Sequence, residues 1–365
     1  MIVTMSVAEA LQRRLRTVRA KMTEAQLPAL YITNATNRRY LSGFEGSSGA
    51  LLITADDAWL LTDFRYMQQA PKQTPHMEVL EHKPFLLETI KELLQAKQIR
   101  ALGFEAATIT YGAYVQLKST LDGIECIPTA RIVENMRMIK DALEVAIIRR
   151  AARLADEAFH HILQTLRPGV REREVALELE WFMRKQGATS ASFEIIVASG
   201  ERSALPHGIA SERELRSGEF IKLDFGALLD GYCSDLTRTV MLGQPTDKHR
   251  EMYHLVAKAQ QHALDSIKPG MSGQTADAFA RDMITAAGYG ALFGHGTGHG
   301  FGMEIHEDPR LNNKSQTILE PGMTVTVEPG IYVPEFGGVR IEDDILITQT
   351  GIEILTSSPK SLIII

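Results

Sequence analysis

Residues 218–226 read GEFIKLDFG, and residues 322–330 read GMTVTVEPG. In both stretches a glycine precedes an acid by six positions, and a second glycine follows that acid by two positions. The residues between them are typical of a β-strand, so each stretch predicts a strand that ends in an acid, Asp224 in one and Glu328 in the other. Two occurrences of one pattern in a single chain indicate an internal structural repeat.

The sequence around these two strands repeats in the same order. In each half a Pro-Gly pair ends a predicted helix, and the next helix runs to a glycine 18 residues further on. The matched positions are Pro168–Gly169 with Gly187, and Pro269–Gly270 with Gly288. Chance is the alternative explanation, because Pro-Gly pairs are common punctuation, but several matched spacings in one order weigh against it. Two similar halves packed about a pseudo-twofold axis would bring their equivalent acids face to face.

Each half supplies a second acid on a following β-like segment, Asp235 in CSDLTRTV and Glu342 in VRIEDDILI. The LLDGY segment between Asp224 and Asp235 predicts a hairpin turn, so the two strands would pair and place both carboxylates side by side. Adjacent carboxylates raise each other's pKa unless a cation lies between them. The alternatives are an Asp224 that caps a turn and an Asp235 that forms a salt bridge with Arg238.

The segment 293–309, FGHGTGHGFGMEIHEDP, is the densest chemical signal in the chain. It places His295, His299 and His306 among several glycines. Glycine lets the backbone approach a site closely, and imidazole is the commonest metal ligand. A flexible loop with incidental histidines is the alternative, but three of the eleven histidines of the chain in one cluster favour a site. The H-E-x-x-H spacing of zinc-protease helices is absent.

A metal centre is predicted from five residues, which are Asp224, Asp235, His299, Glu328 and Glu342. Four carboxylates and one imidazole need a counter-charge when they are buried together, and two divalent ions that share bridging carboxylates would supply it. Paired metal ions also activate water for hydrolysis. An oxygen-rich ligand set of this kind suits Mn²⁺, and Co²⁺ or Zn²⁺ could occupy it.

The residues beside Glu342 are expected to differ in role, because a strand sends successive side chains to opposite faces. Asp343 and Asp344 are predicted to be solvated or turn acids. Arg340, two residues before Glu342, is predicted to lie on the same face and to orient that carboxylate as a donor. A surface arginine on an edge strand is the alternative for Arg340.

The chain has 365 residues, which is more than one hydrophobic core usually supports, so two domains are expected. Residues 1–127 alternate β-rich and helical segments and predict a small α/β domain. Its predicted elements are helices over 6–26 and 85–97 and strands over 29–33, 50–54, 58–62 and 101–104. Residues 128–141 are predicted to be a linker. Residues 142–365 are predicted to be an α+β catalytic domain that contains the repeat and opens with a long amphipathic helix.

Composition excludes several classes of protein. The net charge of −6 has no single-sign block, so neither nucleic acid nor an anionic membrane is an expected partner. The two cysteines lie far apart in the sequence, which does not suggest a disulfide framework. The first 15 residues lack the pattern of a signal peptide, and no apolar run is long enough to span a bilayer. A cytoplasmic location is expected.

The motifs together carry a family resemblance. Residues from about 142 to 350 resemble the catalytic domain of the M24 metallopeptidases, which have the pita-bread fold. The strings that carry it are LDFGALLDGYCSDLTRT, GHGTGHGFGMEIHEDPR, VEPGIY and VRIEDD. With the N-terminal α/β domain included, the chain is similar to the proline-specific branch, prolidase and aminopeptidase P. The resemblance implies short proline-containing peptides as substrates and a homodimer.

The resemblance also implies a role for each matching residue. Asp235 and Glu342 would bridge two metal ions, Asp224 would complete one ion, and His299 with Glu328 would complete the other. Glu328 would also accept a proton from the attacking water. The remaining implied residues are His207 and His306, which would flank the scissile bond, His295 near them, Tyr332 and Arg340 as substrate-orienting groups, and Arg310, which would face a substrate carboxylate.

The predicted activity is hydrolysis of the Xaa-Pro peptide bond, and an Xaa-Pro dipeptidase is favoured on Arg310 and chain length. An aminopeptidase P, which releases the first residue of longer peptides, is the alternative. The N-terminal domain counts against a methionine aminopeptidase, and the complete ligand set counts against a metal-free creatinase-type hydrolase. A non-catalytic pita-bread module that binds protein or nucleic acid is the alternative from another class, although such modules are expected to have lost ligands.

Overall fold

The computed structural model describes residues 6–365. Residues 1–5, the start of the segment that was expected to lack a signal peptide, lie outside the described residues. The chain divides into two compact units between Arg137 and Met138. Residues 128–141, the predicted linker, hold the end of a strand and a short helix. No helix within the described range combines the length and the apolar character that crossing a lipid bilayer requires.

The first unit is built on one six-stranded sheet with strand order β4-β3-β2-β1-β5-β6. Its strands are β1 (Ala29–Ile32), β2 (Ala50–Thr54), β3 (Ala58–Thr62), β4 (Glu78–Glu81), β5 (Ala101–Glu105) and β6 (Glu125–Thr129). Its helices are α1 (Val7–Glu24), α2 (Ala35–Ser42), α3 (Ala70–Gln73), α4 (Leu86–Ala96), α5 (Tyr111–Thr120) and α6 (Ile132–Met138), which crosses the boundary by one residue. The strand β2 runs antiparallel to both of its neighbours, and the other pairs are parallel.

The helix α1 shows why these segments fold as they do. Ser6 and Glu9 form a capping box that satisfies free backbone N–H groups at the helix start. Its apolar residues recur every three or four positions and are buried, as Leu11, Leu15 and Val18 show. The structure confirms the helices predicted over 6–26 and 85–97 and the four predicted strands, and it adds the edge strands β4 and β6.

The second unit begins with a helical pair that packs on a three-stranded antiparallel sheet, β12-β9-β8. The elements of this half are α7 (Ala142–Ile162), α8 (Glu172–Lys185), β7 (Ser190–Ala191), β8 (Ile196–Ser199), β9 (Glu219–Phe225), β10 (Ala227–Leu229), β11 (Tyr232–Cys233) and β12 (Leu236–Leu242). Asp141 begins α7 with a capping box to Glu144. Buried apolar side chains from both helices and from β9 and β12 form one core cluster.

The other half of this unit repeats the plan with a larger sheet, β14-β13-β15-β18-β19, and a two-stranded ribbon, β16-β17. Its elements are α9 (Asp247–Ser266), α10 (Gly273–Ala286), β13 (Gly298–Gly300), β14 (Glu307–Leu311), β15 (Thr324–Val327), β16 (Gly330–Val333), β17 (Gly337–Arg340), β18 (Asp343–Ile347) and β19 (Ile352–Ile354). The helices α9 and α10 pack on their sheet around a second core cluster.

Backbone hydrogen bonds confirm the internal repeat. Gly169 N donates to Leu215 O at 2.9 Å, and Gly270 N donates to Leu319 O at 2.8 Å. Both glycines have positive φ, 89° and 87°, which favours glycine at this turn. In each half the turn before the second helix is therefore tied to the segment that leads into the acid-bearing strand.

Candidate metal centre and active site

Asp224 and Asp235 are brought together because β9 pairs with β12. Thr237 lies directly opposite Asp224 in the antiparallel register, and Asp235 precedes Thr237 by two residues. The intervening hairpin of β10 and β11 turns at Asp230 and Gly231, which both have positive φ. Both carboxylates are buried, with 6% and 4% of the residue exposed. The predicted strand pairing is confirmed.

Glu342 joins these two acids from the other half of the unit. One carboxylate oxygen from each of Asp224, Asp235 and Glu342 lies within 4.8 Å of the others. Thr237 holds Glu342 in place, since its carbonyl accepts the Glu342 N–H at 3.1 Å and its hydroxyl donates to the Glu342 carboxylate at 2.5 Å. Desolvation and the neighbouring carboxylates raise the pKa of Asp235 and of Glu342 well above their ordinary values. This concentration of buried negative charge fits a divalent cation.

His299 and Glu328 extend the cluster. His299 Nδ1 faces the carbonyl of Gly300 at 3.1 Å, so Nδ1 carries the proton and Nε2 presents its lone pair. That Nε2 lies 3.6 Å from Asp235 Oδ2 and 3.5 Å from Glu328 Oε1. Desolvation lowers the pKa of His299 to about 3, which keeps the ring in the neutral form that coordinates metals. The five predicted ligands thus meet in one place, and their donor atoms fit divalent metal ions.

Arg340 is the cation at the centre of the cluster. Its side chain is buried, its guanidinium pairs with Asp224, and it also donates to the Tyr332 hydroxyl at 2.9 Å. It reaches Glu342 only through Thr237, whose hydroxyl accepts from Arg340 Nε at 3.1 Å. Arg340 was predicted to orient the Glu342 carboxylate as a donor. It donates instead to Thr237, which holds that carboxylate, because Glu342 lies beyond the end of β17 and does not share its strand geometry. Burial also excludes the alternative of a surface arginine.

Tyr332 links Arg340 to His295. The Tyr332 hydroxyl lies 2.7 Å from His295 Nε2, while His295 Nδ1 faces the carbonyl of Gly296 at 2.8 Å. Tyr332 does not line the cavity described below, so it lies behind the predicted substrate groups. Desolvation lowers the pKa of His295 to about 3 and raises that of Tyr332 to about 12, and both groups are therefore neutral near pH 7.

A cavity of about 570 Å³ opens above the acids. Every predicted site residue except Tyr332 lines it, including His207, His306 and Arg310. The imidazoles of His299 and His306 are neighbours, with ring centroids 4.5 Å apart. Apolar walls are supplied by Phe193, Ile196, Ile209 and Ile305. Sequence analysis did not single out the carboxylate of Glu194, which also lines this cavity.

The expectation that Asp343 and Asp344 are solvated is wrong. Both lie on β18, which is paired on either side, and only 1% and 0% of these residues is exposed. Asp343 pairs with the buried Arg238 at 2.7 Å, and Asp344 accepts the backbone N–H of Asp235 at 2.9 Å. Arg238 therefore does not form the salt bridge with Asp235 that was the alternative to metal binding.

Lys222 is a second residue that sequence analysis missed. It is fully buried on β9, two positions before Asp224, and hence on the same face of the strand. Desolvation lowers the pKa of Lys222, while the carboxylate of Asp224 opposes that shift. The sequence did contain a signal for Lys222, since a lysine inside the apolar strand FIKLDF is expected to be buried. A buried ammonium group requires hydrogen-bond acceptors around it, which indicates a specific structural role.

The fold and this carboxylate–imidazole centre define a metal-dependent hydrolase. The sequence matches the Metallopeptidase family M24 over residues 146–349 and the Creatinase/Prolidase N-terminal domain over residues 14–139. The chain therefore belongs to metallopeptidase family M24, and it is an enzyme of the peptidase class. The predicted α/β N-terminal domain and pita-bread C-terminal domain are confirmed. Membership of this family implies divalent metal ions.

Known proteins of this type resemble the chain along nearly its whole length. An uncharacterized peptidase of Bacillus subtilis, YqhT, is 50% identical over 96% of this chain and 100% of its own. The structure of an Xaa-Pro dipeptidase from Bacillus anthracis aligns with a TM-score of 0.95 and 51% identity, over 97% of this chain and 100% of the other. An X-Pro aminopeptidase from Thermotoga maritima aligns with a TM-score of 0.89 and 37% identity, over 94% and 100%.

Proposed function

We propose that this enzyme hydrolyses the Xaa-Pro peptide bond with two divalent metal ions and that it acts as an Xaa-Pro dipeptidase. The observation that carries the proposal is the buried cluster of Asp224, Asp235 and Glu342, with His299 and Glu328 beside it, at the base of one cavity. Similarity to an Xaa-Pro dipeptidase at 51% identity supports the choice of substrate.

The proposed ligand assignment is the one that the family resemblance implies. Asp235 and Glu342 would bridge the two ions, Asp224 would complete one ion, and His299 with Glu328 would complete the other. When bound, the two ions would activate a water molecule and polarise the scissile carbonyl group. Thr237 and Gly300 hold ligand side chains in the required orientation through the hydrogen bonds described above.

The side chains around the ligands have separate proposed tasks. Glu328 accepts the proton of the attacking water at a carboxylate oxygen. His207 and His306 line the cavity, where they donate hydrogen bonds to the carbonyl oxygen or deliver a proton to the leaving imino nitrogen. An Xaa-Pro bond has no amide N–H, so an apolar wall suits this substrate. The walls formed by Ile209 and Ile305 fulfil that condition.

Arg310 is the proposed reason for dipeptide specificity. It lies on β14 with its residue exposed, lines the cavity, and forms no ion pair within residues 6–365. A guanidinium of this kind binds a carboxylate in two parallel hydrogen bonds. In a dipeptide the carboxylate of proline follows the scissile bond directly. Tyr332 and Arg340 would orient the groups that contact the substrate, since they hold His295 and Asp224.

The test compares Ala-Pro with Ala-Pro-Ala after the purified protein has been loaded with Mn²⁺. Cleavage of the dipeptide alone is the expected outcome. Preference for the tripeptide would establish an aminopeptidase P, the candidate that similarity to the Thermotoga maritima enzyme favours. If the metal-loaded protein cleaves neither peptide, the proposed Xaa-Pro specificity fails.

The proposal also covers the metal ion, the oligomeric state and the cellular location. Mn²⁺ is the proposed physiological ion because four of the five ligands are carboxylates, and metal analysis of the protein isolated from its own cells tests this. A homodimer and a cytoplasmic location are also proposed. Cys126 and Cys233 are free thiols, which suits a reducing compartment. Light scattering of the purified chain measures the oligomeric state, and fractionation of cells locates the protein.

A further inference from the structure

The loop that carries His207 is held from inside the unit by Lys222. The ammonium group of Lys222 lies 3.2 Å from the carbonyl oxygen of Ser203, 2.5 Å from that of Leu205 and 3.2 Å from that of Pro206. These are backbone atoms of the residues that lead directly to His207. Three acceptors match the three N–H donors of an ammonium group.

Lys222 is arranged for this task and not for an ion pair. It forms no salt bridge within the part of the chain that the structure describes, although it is fully buried. A buried charge is costly unless its donors are satisfied, so the carbonyl groups of the loop are its principal partners. The ring of Tyr332 adds a further contact, with the nitrogen 5.1 Å from the ring centroid.

A different residue, Glu172, anchors the two ends of the same loop. Glu172 on α8 is fully buried, accepts two hydrogen bonds from Ser199 and two from Ser211, and pairs with Arg202. Arg202 in turn donates to the carbonyl of Ile209 at 2.7 Å. These bonds fix the start and the end of the loop and leave the carbonyls of Leu205 and Pro206 to the interior.

Two buried cationic side chains, those of Lys222 and Arg340, connect the interior side of the loop to the proposed metal ligands. Pro206 O accepts from Lys222 and also from Arg340 Nη1 at 3.1 Å. Lys222 shares a strand face with Asp224, and Arg340 pairs with Asp224. Pro206, the residue before His207, is thus held in place by Lys222 on β9, the strand that supplies the proposed metal ligand Asp224, and by Arg340, which pairs with Asp224.

We infer that Lys222 is a positioning residue, which holds His207 towards the bound peptide through the carbonyls of Leu205 and Pro206 and so sets the rate of turnover. This inference rests on the Xaa-Pro dipeptidase function proposed for the site. Small displacements of a group at a reacting centre reduce rates strongly. Because Arg340 keeps its own bond to Pro206, loss of Lys222 weakens the support of His207 without removing it.

The test is a double-mutant cycle of Lys222→Met and His207→Ala in the metal-loaded enzyme with Ala-Pro. Lys222→Met is expected to lower kcat about tenfold, with a smaller change in KM. In the His207→Ala background the same change is expected to have an effect of less than about twofold, because both residues act through one group. An equal loss in both backgrounds, or no loss in the single variant, would overturn the inference.

The control variant is Ile221→Val, at the neighbouring position of β9. Ile221 is also fully buried, but it belongs to the core cluster on the other face of the strand. Its shortening reduces the free energy of unfolding but leaves the bonds of Lys222 to the His207 loop in place, so kcat is expected to stay within about twofold of wild type. A comparable loss of kcat in this control would show that general destabilisation explains the effect of Lys222→Met.

A second measurement needs no activity. Hydrogen exchange of the metal-free protein is expected to be at least about tenfold faster in Lys222→Met for the amides of Leu205, Gly208 and Ile209, which bond within the loop. Unchanged exchange in Lys222→Met would refute the anchoring role, whatever the activity of the enzyme. Failure of the wild type to hydrolyse any Xaa-Pro peptide would refute the proposed function and would leave the exchange result valid. If Lys222→Met does not fold, Lys222→Gln, which keeps two N–H donors, takes its place in both measurements.

Discussion

Asp235 occupies the middle of the carboxylate cluster. Its side chain is close to Asp224 and Glu342 and lies 3.6 Å from His299. It is proposed to bridge both metal ions, so its removal opens both coordination shells. We expect Asp235→Ala to reduce bound metal from about two ions per chain to one or none and to lower kcat at least about a thousandfold. Metal analysis by mass spectrometry and an Ala-Pro assay measure the two effects.

Asp230 provides the matched control for that substitution. It lies on the neighbouring hairpin, is exposed, and pairs with the exposed Arg150. Asp230→Ala is expected to retain metal and activity, since surface ion pairs contribute little. Substantial turnover by Asp235→Ala under the same conditions would contradict the bridging role.

Arg310 decides at the residue scale between the two proline-specific activities. Arg310→Ala is expected to lower kcat/KM for Ala-Pro by about 10- to 100-fold, because one charge-assisted contact to a carboxylate is lost. The expected loss for Ala-Pro-Ala is less than about threefold, since its carboxylate lies one residue further away. Equal losses with both peptides would argue against carboxylate recognition, and Arg310→Lys should recover part of the activity.

The two cysteines differ in chemical accessibility. Desolvation raises the pKa of Cys233 to about 12, and only 3% of this residue is exposed. The thiolate is the reactive form, and at pH 8 it would be about one part in ten thousand of such a thiol. We expect iodoacetamide at pH 8 to modify Cys126, which is half-buried, well before Cys233 in the native protein. Mass spectrometry should show one adduct in buffer and two in urea.

At the scale of elements, helix α10 holds the glycine-rich segment through one buried acid. Asp277 pairs with Arg281 and accepts the N–H of Thr297 at 2.9 Å, while Arg281 donates to the carbonyl of His295 at 2.6 Å. Asp277→Ala would leave the N–H of Thr297 without its acceptor and the guanidinium of Arg281 without its carboxylate. The expected loss is about 3 kcal/mol in the free energy of unfolding, measured by urea denaturation.

Asp282 on the same helix is the control for this prediction. It is exposed, so Asp282→Ala is expected to change the free energy of unfolding by less than about 0.5 kcal/mol. If both variants lose the same stability, the network around Asp277 does not carry the effect.

Some helices and strands could be predicted from their own sequences, and others could not. The helices α1 and α7 were predicted because their apolar residues follow the helical period. The strands β4 and β6 were not, since both lie at edges of the sheet and neither shows a clear apolar pattern. β4 reads EVLE, and β6 contains Pro128, which an edge strand tolerates because its N–H side need not be paired.

At the scale of the whole molecule, metal binding and folding of the second unit are linked. The acids of the centre are buried together, and bound cations would relieve their mutual repulsion. We expect chelation with EDTA to lower the melting temperature by about 5–10 °C, since a ligand in large excess of its Kd contributes about 3 kcal/mol. Differential scanning calorimetry of the Mn²⁺-loaded and stripped protein measures this.

The Asp235→Ala variant serves as the reference for that experiment. With its centre disrupted, the variant is expected to show less than about a third of the wild-type shift on chelation. An equal shift in both proteins would mean that EDTA acts elsewhere.

The sequence by itself determined the repeat, the five proposed metal ligands and the family resemblance. The physical reason is that these features are local. A glycine turn, an alternating strand and the acid at its end need only a few neighbouring residues, and Asp224 and Glu328 show the same pattern in both halves.

Only the tertiary structure decided which partners these residues have. Asp343 and Asp344 are buried because β18 lies inside a sheet, and Arg340 pairs with Asp224 from a distant strand. Lys222 finds the carbonyls of the His207 loop for the same reason. Such contacts join residues far apart in the chain, so they depend on which faces the packing brings together, and no local sequence pattern encodes that.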